Sequence, residues 1–192
     1  DATQQTTATG TLTASDIDGD SLTFSVAGTN GIYGTLAIDA ANAGAWTYIL
    51  NNSDTDTDSL SKDESVTDTI KVTVSDGQGG STIKDVEVTI TGSNDVPVIT
   101  SASTAAEGAV TEDATQQTTA TGTLTASDID GDSLTFSVVS STGTYGSLAI
   151  DGTSGVWTYT LNNSDPDTDS LSEGESVTDT IKVTVSDGQG GS

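Results

Sequence analysis

Carboxylates at alternate positions around a glycine are the residues of this chain best placed to do chemistry. Ser-Asp-Ile-Asp-Gly-Asp supplies Asp16, Asp18 and Asp20, and the same letters return as Asp128, Asp130 and Asp132. Such a run can wrap one hard cation, because glycine permits the tight backbone path between the ligating side chains. It can equally close a hydrogen-bonded Asx turn, and the spacing does not choose between the two. Two further acidic points stand nearby in the pattern. Asp76 and Asp187 each open Ser-Asp-Gly-Gln-Gly-Gly, which alone reads as turn punctuation. Asn94-Asp95 precedes Val-Pro and alone reads as a polar hinge.

Composition narrows the chemistry to oxygen ligands. The chain has no histidine, cysteine or methionine, so thiolate chemistry, disulfides and the usual zinc, copper and haem ligand sets are excluded. What is left suits Ca²⁺ or Mg²⁺. Net charge is −25, from 29 acidic side chains against Lys62, Lys71, Lys84 and Lys182. That balance argues against nucleic acid, whose phosphates require a positive face, and against an anionic membrane surface. No apolar run is long enough for membrane insertion and no targeting segment is visible, so the chain reads as an internal fragment whose targeting signals lie elsewhere.

The elements that must position these carboxylates come in two copies. Residues 1–26 recur unchanged as 113–138, and residues 65–81 recur as 176–192. A unit this long is domain-sized. Leu, Ile, Val and Phe make up only 38 of the 192 residues, near the threshold for disorder, so pattern has to decide. Apolar residues alternate with Thr, Ser and Asp at period two, which is the requirement of a half-buried strand.

The pattern predicts strands over Gly10–Ser15, Ser21–Val26, Gly34–Asp39, Ala45–Leu50, Asp68–Ser75 and Thr82–Thr91, with equivalents in the second copy. Leu12 and Ala14 are expected inward in the first of these, and a change of parity after Ile83 suggests a bulge. Asp18-Gly19, Ala43-Gly44, Asn51-Asn52-Ser53 and Asp76-Gly77 separate the strands. Phe24, Trp46 and Tyr48, with Phe136, Trp157 and Tyr159, fall on inward parity and read as core. No segment has a helical period, so the fold class is all-β, built as β-sandwiches. Pro97 marks the expected boundary, giving a first repeat over 1–96 and a second over 97–192. Val98–Ser101 is expected to open the second repeat, with Gly108–Thr111 continuing that strand. On this phasing the first repeat lacks its opening strand and the second its closing strand, which leaves edges for strand exchange with another copy.

In this order the motifs resemble the cadherin-like, immunoglobulin-like Greek-key sandwich, and more closely the VCBS repeat of giant RTX-type bacterial surface adhesins. Gly-Thr-Leu-Thr-Ala-Ser-Asp-Ile-Asp-Gly-Asp matches the early strands and their acidic turn, and Thr-Gly-Ser-Asn-Asp-Val-Pro-Val-Ile matches the inter-repeat linker. Val-Thr-Asp-Thr-Ile-Lys-Val-Thr-Val-Ser-Asp-Gly-Gln-Gly-Gly matches a late strand. The resemblance implies Ca²⁺ at the junction of neighbouring repeats. It would draw on Asp128, Asp130 and Asp187, on Asn94 and Asp95 of the linker, and on Glu64 with Asp63. The matching positions of the other copy are Asp16, Asp18 and Asp76, with Glu175 matching Glu64; Glu112 matches the family's base glutamate near the start of a repeat and would serve the second repeat's far end. Gly92 stands where the family pattern has an Asp, and one residue is absent before Pro97.

A further acidic cluster, Asp54-Thr-Asp-Thr-Asp58 with its copy Asp165-Pro-Asp-Thr-Asp169, resembles the first half of an EF-hand loop. However, Ser59 occupies the glycine position and Ser65 that of the bidentate glutamate. A solvated acidic loop is the plainer reading.

The function these features imply is a calcium-stiffened extender that projects distal binding domains from a bacterial cell surface and supports adhesion and biofilm formation. Its partners are the neighbouring repeats of the same chain. The rival is a carbohydrate- or ice-binding sandwich that uses threonine rows such as Thr6-Thr7-Ala8-Thr9. An enzyme is the weakest reading, because the carboxylates lie in turns and a linker with no sign of a cleft.

Overall fold

A computed structural model describes residues 5–26, 28, 31–39, 44–115 and 117–191. The chain forms two compact units, Asp1–Ser93 and Asn94–Ser192, so Asn94 and Asp95 fold with the second. Ala43, half of one expected turn, lies outside the described residues.

The first unit is a β-sandwich whose strands follow the alternation of the sequence. Its strands are β1 (Thr7–Thr11), β2 (Thr23–Val26), β3 (Gly34–Ile38), β4 (Ala45–Leu50), β5 (Ser65–Ser75) and β6 (Ser81–Thr91), with one helical turn, α1 (Thr55–Asp58), between β4 and β5. One sheet has the order β1-β4-β3 and the other β2-β5-β6, with all pairs antiparallel. Leu36 and Tyr48 from the first sheet pack on Ile70, Val72, Val86, Val88 and Ile90 from the second. Burial of this apolar surface, at about 25 cal/mol per Å², is the main term holding the sheets together.

Two local expectations are corrected. The opening strand is Thr7–Thr11 rather than Gly10–Ser15, and Ala8 and Leu12 pack inward while Ala14 is exposed. Pairing with Ile49 to Ala45 of β4 sets that register. There is also no bulge after Ile83. Strands β5 and β6 pair residue for residue from Ser75↔Ser81 to Ser65↔Thr91, and Ile83 faces outward, 61% exposed.

A buried carboxylate ties the two sheets together. Asp68 lies on β5 in step with Ile70 and Val72 and is only 2% exposed. It accepts hydrogen bonds from the N–H groups of Ile32 (3.0 Å) and Tyr33 (3.2 Å) and from the Tyr48 hydroxyl (2.8 Å). Burial, the Asp68 hydrogen bond and the Asp68 charge all push the Tyr48 hydroxyl above its usual range, so it stays protonated and donates. Gly31 lies so close that a β-carbon there would overlap the Asp68 carboxylate.

The second unit repeats this plan with different ends. Its strands are β7 (Val98–Ile99), β8 (Thr119–Thr123), β9 (Ala126–Ser127), β10 (Thr135–Val138), β11 (Gly146–Ile150), β12 (Val156–Leu161) and β13 (Val183–Ser186). Strands β11-β12-β8 form one sheet, β10 pairs with β13, and β7 pairs with β9. Asp179 takes the place of Asp68, accepting from Thr144 N–H (3.0 Å), Tyr145 N–H (3.1 Å) and the Tyr159 hydroxyl (2.9 Å). Burial opposes the Asp179 charge, but these donors outweigh it and hold the carboxyl below its usual range.

The second-unit expectations change in three places. The opening strand is only Val98–Ile99. Residues 108–111 are not a strand, and a 3₁₀ turn at Ser103–Ala106 precedes them, its Ala105 carbonyl accepting from the Trp157 indole N–H (2.9 Å). The third change concerns residues 176–186, identical to β5, of which only Val183–Ser186 is strand. In the first unit β6 satisfies that backbone over eleven residues, whereas in the second unit no described strand stands beside 176–182.

Replacing Asp68 by alanine leaves two N–H groups and a hydroxyl in the core without an acceptor. It is expected to cost about 3 kcal/mol or more in urea unfolding, since each hydrogen bond to a charged group contributes ~1.5–3 kcal/mol. A loss below about 1 kcal/mol would show that the sheets do not depend on this carboxylate. For Asp179 the folded pKa is depressed, so its contribution is present above the unfolded carboxylate pKa of about 3.9 and is lost as pH falls through the folded value.

Candidate metal centre

The acidic turn of the second unit is pinned by the chain that enters it. Val98 and Ile99 pair with Ser127 and Ala126, and the N–H groups of Thr100 (2.8 Å) and Ser101 (3.2 Å) both donate to the Thr125 carbonyl. Asp128 begins immediately after this short ladder. Its Oδ1 accepts from Asp130 N–H (3.0 Å), and its carbonyl from Gly131 N–H (3.4 Å), which folds the run into a turn. Asp128, Asp130 and Asp132 thereby bring one carboxylate oxygen each to within 4.8 Å of one another, all half-buried.

The linker and the last described loop complete the surround. Asp130 Oδ2 accepts from Asp95 N–H at 2.8 Å. Asn94 Nδ2 donates to Asp187 Oδ2 (2.9 Å) and to the Asp95 carbonyl (2.7 Å). Asp187 is 5% exposed, and its Oδ1 accepts from the N–H groups of Gln189 (2.8 Å), Gly191 (3.0 Å) and Gly190 (3.2 Å). The Asn94 amide is the strongest influence holding the Asp187 carboxyl below its usual range, and these three N–H groups add to it against burial.

Three oxygens in this cluster are buried without a hydrogen-bond donor: Asn94 Oδ1, Asp128 Oδ2 and Asp132 Oδ2. Native proteins rarely leave such atoms bare, and an ion is one of the few groups that satisfies several at once. Desolvation, then the charges of Asp128, Asp130 and Asp187, push the Asp132 carboxyl above its usual range. The donor set is oxygen throughout, carboxylate plus amide, which fits a hard divalent cation and fits Ca²⁺ best. Asn94, Asp128, Asp130, Asp132 and Asp187 are the residues that would hold it.

The structure thus brings together Asn94, Asp95, Asp128, Asp130 and Asp187 from the expected ligands, and adds Asp132. The signal for Asp132 was already in the sequence, as the third alternate carboxylate around Gly131. The identical run in the first unit is built differently. Asp16 Oδ1 accepts from both Asp18 N–H (2.8 Å) and Asp20 N–H (3.2 Å), an Asx-type turn, with Asp18 exposed. Among the described residues, only the second-unit run gathers three acidic ligand atoms. Asp76 closes its own loop by accepting from Gln78 (2.7 Å) and Gly80 (2.9 Å) N–H groups.

The glutamates serve turns. Glu64 Oε2 accepts from Ser61 N–H (3.1 Å), and Glu175 Oε2 from Ser172 N–H (3.0 Å). Asp63 adopts φ 62 in the first of these turns, and its N–H donates to the Gly92 carbonyl (3.2 Å). A side chain at Gly92 would overlap the carbonyls of Ser61 and Leu60, which explains why no Asp occupies that position. Glu112 lies half-buried in a turn of its own. The Asp54 and Asp165 clusters are helix caps: each carboxylate accepts from the N–H two residues on, capping α1 and the matching turn α2 (Pro166–Asp169).

A model of the bacterial cadherin-like domain matches residues 1–92 and, a second time, residues 94–192. The chain belongs to the bacterial cadherin-like domain family. Cadherin-like domains are extracellular, non-enzymatic modules of the adhesion and structural type, and they generally bind calcium. The extracellular cadherin domains 1–5 of protocadherin gamma B2 resemble this chain with a TM-score of 0.42 and 17% identity, over 78% of this chain and 26% of that one. Domains EC1–3 of a mouse clustered protocadherin give 0.43 and 16%, over 83% and 53%. Mouse cadherin-23 EC22–24 gives 0.41 and 15%, over 79% and 45%. The chain therefore spans about a quarter to a half of the length of these cadherin chains. A comparison with curated protein sequences finds no match. No helix among the described residues of this cadherin-like pair is long and apolar enough to cross a membrane.

Because the folded Asp132 pKa is raised, its charge costs stability in the cation-free protein. That cost disappears as pH falls through the folded pKa toward the unfolded value of about 3.9. Asp132→Asn is therefore expected to melt no lower than the parent chain in chelator, yet to lose most of the melting increment that millimolar Ca²⁺ gives the parent. Loss of stability in chelator would contradict the repulsion argument.

Proposed function

We propose that this pair of repeats is a calcium-ordered extender of a bacterial cell-surface adhesin, of the VCBS, RTX-associated type, which carries distal binding domains outward for adhesion and biofilm formation. The observation that supports it is the trio of buried, donor-less oxygens on Asn94, Asp128 and Asp132. They are built around the residues through which the chain enters the second unit. Without cation, the carboxylates of Asp128, Asp130, Asp132 and Asp187 repel one another and strain that entry. With Ca²⁺, they are neutralised, and Asn94 and Asp95 are held against the acidic turn, so the link between repeats stiffens. Repetition of the arrangement converts a weak local effect into length.

The energetic scale favours ordering a linker over creating a fold. Extracellular calcium modules bind with Kd of roughly 10⁻⁴–10⁻³ M, so millimolar Ca²⁺ contributes about 0.4–1.4 kcal/mol per site. For a domain of this size that corresponds to a melting shift of roughly 2–10 °C.

Small-angle scattering and thermal melting, in millimolar Ca²⁺ and then in chelator, test this reading. Calcium is expected to narrow the distribution of interdomain distances and raise the melting of the second unit by several degrees. Asp128→Asn combined with Asp130→Asn should abolish both responses. Scattering and melting that do not change on chelation would sink the calcium-hinge mechanism.

A further inference from the structure

Among the residues gathered around the acidic turn, Asp187 is the one whose hydrogen-bonding capacity is already filled. A carboxylate offers about four lone-pair sites. Oδ1 of Asp187 accepts from the N–H groups of Gln189, Gly190 and Gly191, and Oδ2 accepts from Asn94 Nδ2 at 2.9 Å. The residue is buried, so these donors stand where water would otherwise be. Asp128, Asp130 and Asp132 differ. They bring carboxylate oxygens within 4.8 Å of one another, and Asp128 and Asp132 each keep a buried Oδ2 without a donor.

The identical loop of the first unit separates two tasks of this carboxylate. Asp76 Oδ1 accepts from Gln78 and Gly80 N–H, as Asp187 Oδ1 does from Gln189 and Gly191. Closing the loop therefore belongs to Oδ1 in both units. In the second unit Oδ2 reaches outside the loop, to a residue 93 positions earlier in the chain. Gly191 keeps that approach open, since a β-carbon there would overlap Asp187 Oδ2 and crowd the Asn94 amide nitrogen (3.1 Å).

This bond fixes which way the Asn94 amide faces. One end of it meets two acceptors, Asp187 Oδ2 and the Asp95 carbonyl, so that end must be the NH₂. Oδ1 is left buried and without a donor, the atom of this side chain that a cation can take. The next residue, Asp95, donates its N–H to Asp130 Oδ2. Two consecutive residues of the entering chain are thus tied, one to the loop 187–191 and one to the acidic turn.

We infer that Asp187 is a positioning residue and not itself a ligand: it latches the Asn94 amide, which presents Oδ1 to the cation. Asp187 thus holds the cation only through Asn94. The presentation of Oδ1 to Ca²⁺ rests on the calcium reading proposed above, whereas the latch is made of protein groups alone.

Hydrogen exchange of the full chain in chelator, followed by NMR, tests the latch without calcium. Asp187→Asn keeps an oxygen for the loop N–H groups but sets an NH₂ against that of Asn94. The Asp95 amide is expected to exchange roughly tenfold faster or more, as loss of one charge-assisted hydrogen bond permits, while amides of β11 and β12 keep their protection. Asn94→Ala should do the same, and the double variant no more than either, the signature of one shared interaction. If Asp187 were only a ligand, Asp187→Asn would relieve repulsion in chelator and leave the Asp95 amide unchanged or slower. In calcium titrations, Asp187→Asn should weaken binding, and the double variant should bind within about threefold of Asn94→Ala, which allows for the lost charge. Weaker binding than that gives Asp187 a coordinate bond of its own and overturns the inference. So does an Asp95 amide that fails to quicken, or quickening shared equally by β11 and β12. No calcium binding by the parent chain, with the Asp95 response intact, would remove the calcium reading and leave the latch established.

Discussion

A β-strand keeps its extended form only where a neighbour takes up its backbone N–H and C=O groups, and in this protein that constraint decides nearly everything else. The chain contains its own control, because two long segments occur twice with no change of sequence. Where residues 65–75 have β6 beside them they form eleven residues of strand, and where residues 176–186 have no such neighbour among the described residues they form four. The side chains follow the backbone. Tyr48 and Ile70 are buried at 1% and 4%, while their copies Tyr159 and Ile181 are only half-buried. Intrinsic β-propensity is the same in both places, so the difference measures context alone.

The same rule, at the other end of the repeat, shapes the acidic turn. Ala126–Ser127 becomes strand because Val98–Ile99 lies against it, and the identical Ala14–Ser15 has no strand assigned. With its approach fixed, the run from Asp128 to Asp132 gathers its carboxylates, while that from Asp16 to Asp20 relaxes into a hydrogen-bonded turn with Asp18 in solvent. Carboxylates held this close without a counter-ion are costly, and that is the condition under which a cation would be favoured at the turn. The entering chain thus helps to build the acidic cluster.

How much of this was legible depended on how local the cause was. Alternation placed β3 to β6 within a few residues and identified Tyr48, Trp157 and Phe136 as core, because one-sided burial writes itself into a single strand. Asp68 was missed although its parity matched Ile70 and Val72, because a carboxylate in the inward position reads as an interruption unless its donors are known. Those donors, the N–H groups of Ile32 and Tyr33, sit 35–36 residues away and leave no mark in the sequence. The register of β1 was misplaced for a similar reason, since Thr7 to Thr11 is specified by its partner β4. The differing fates of identical segments cannot be read from either segment, because the information lies in what flanks them.

The Ser81–Thr91 strand stands in the same chain as two segments of identical sequence, residues 65–75, with which it pairs, and residues 176–186. Complementarity cannot tell them apart, so chain connectivity must. Pairing with the first closes a loop of five residues, 76–80, whereas pairing with the second closes one of 84 residues, 92–175. The difference in closure entropy is on the order of 2 kcal/mol, a preference of a few tens to one for the near partner. In a chain of many such repeats every strand would face many equivalent acceptors, and correct assembly would rest on proximity and on the order in which the repeats are synthesised.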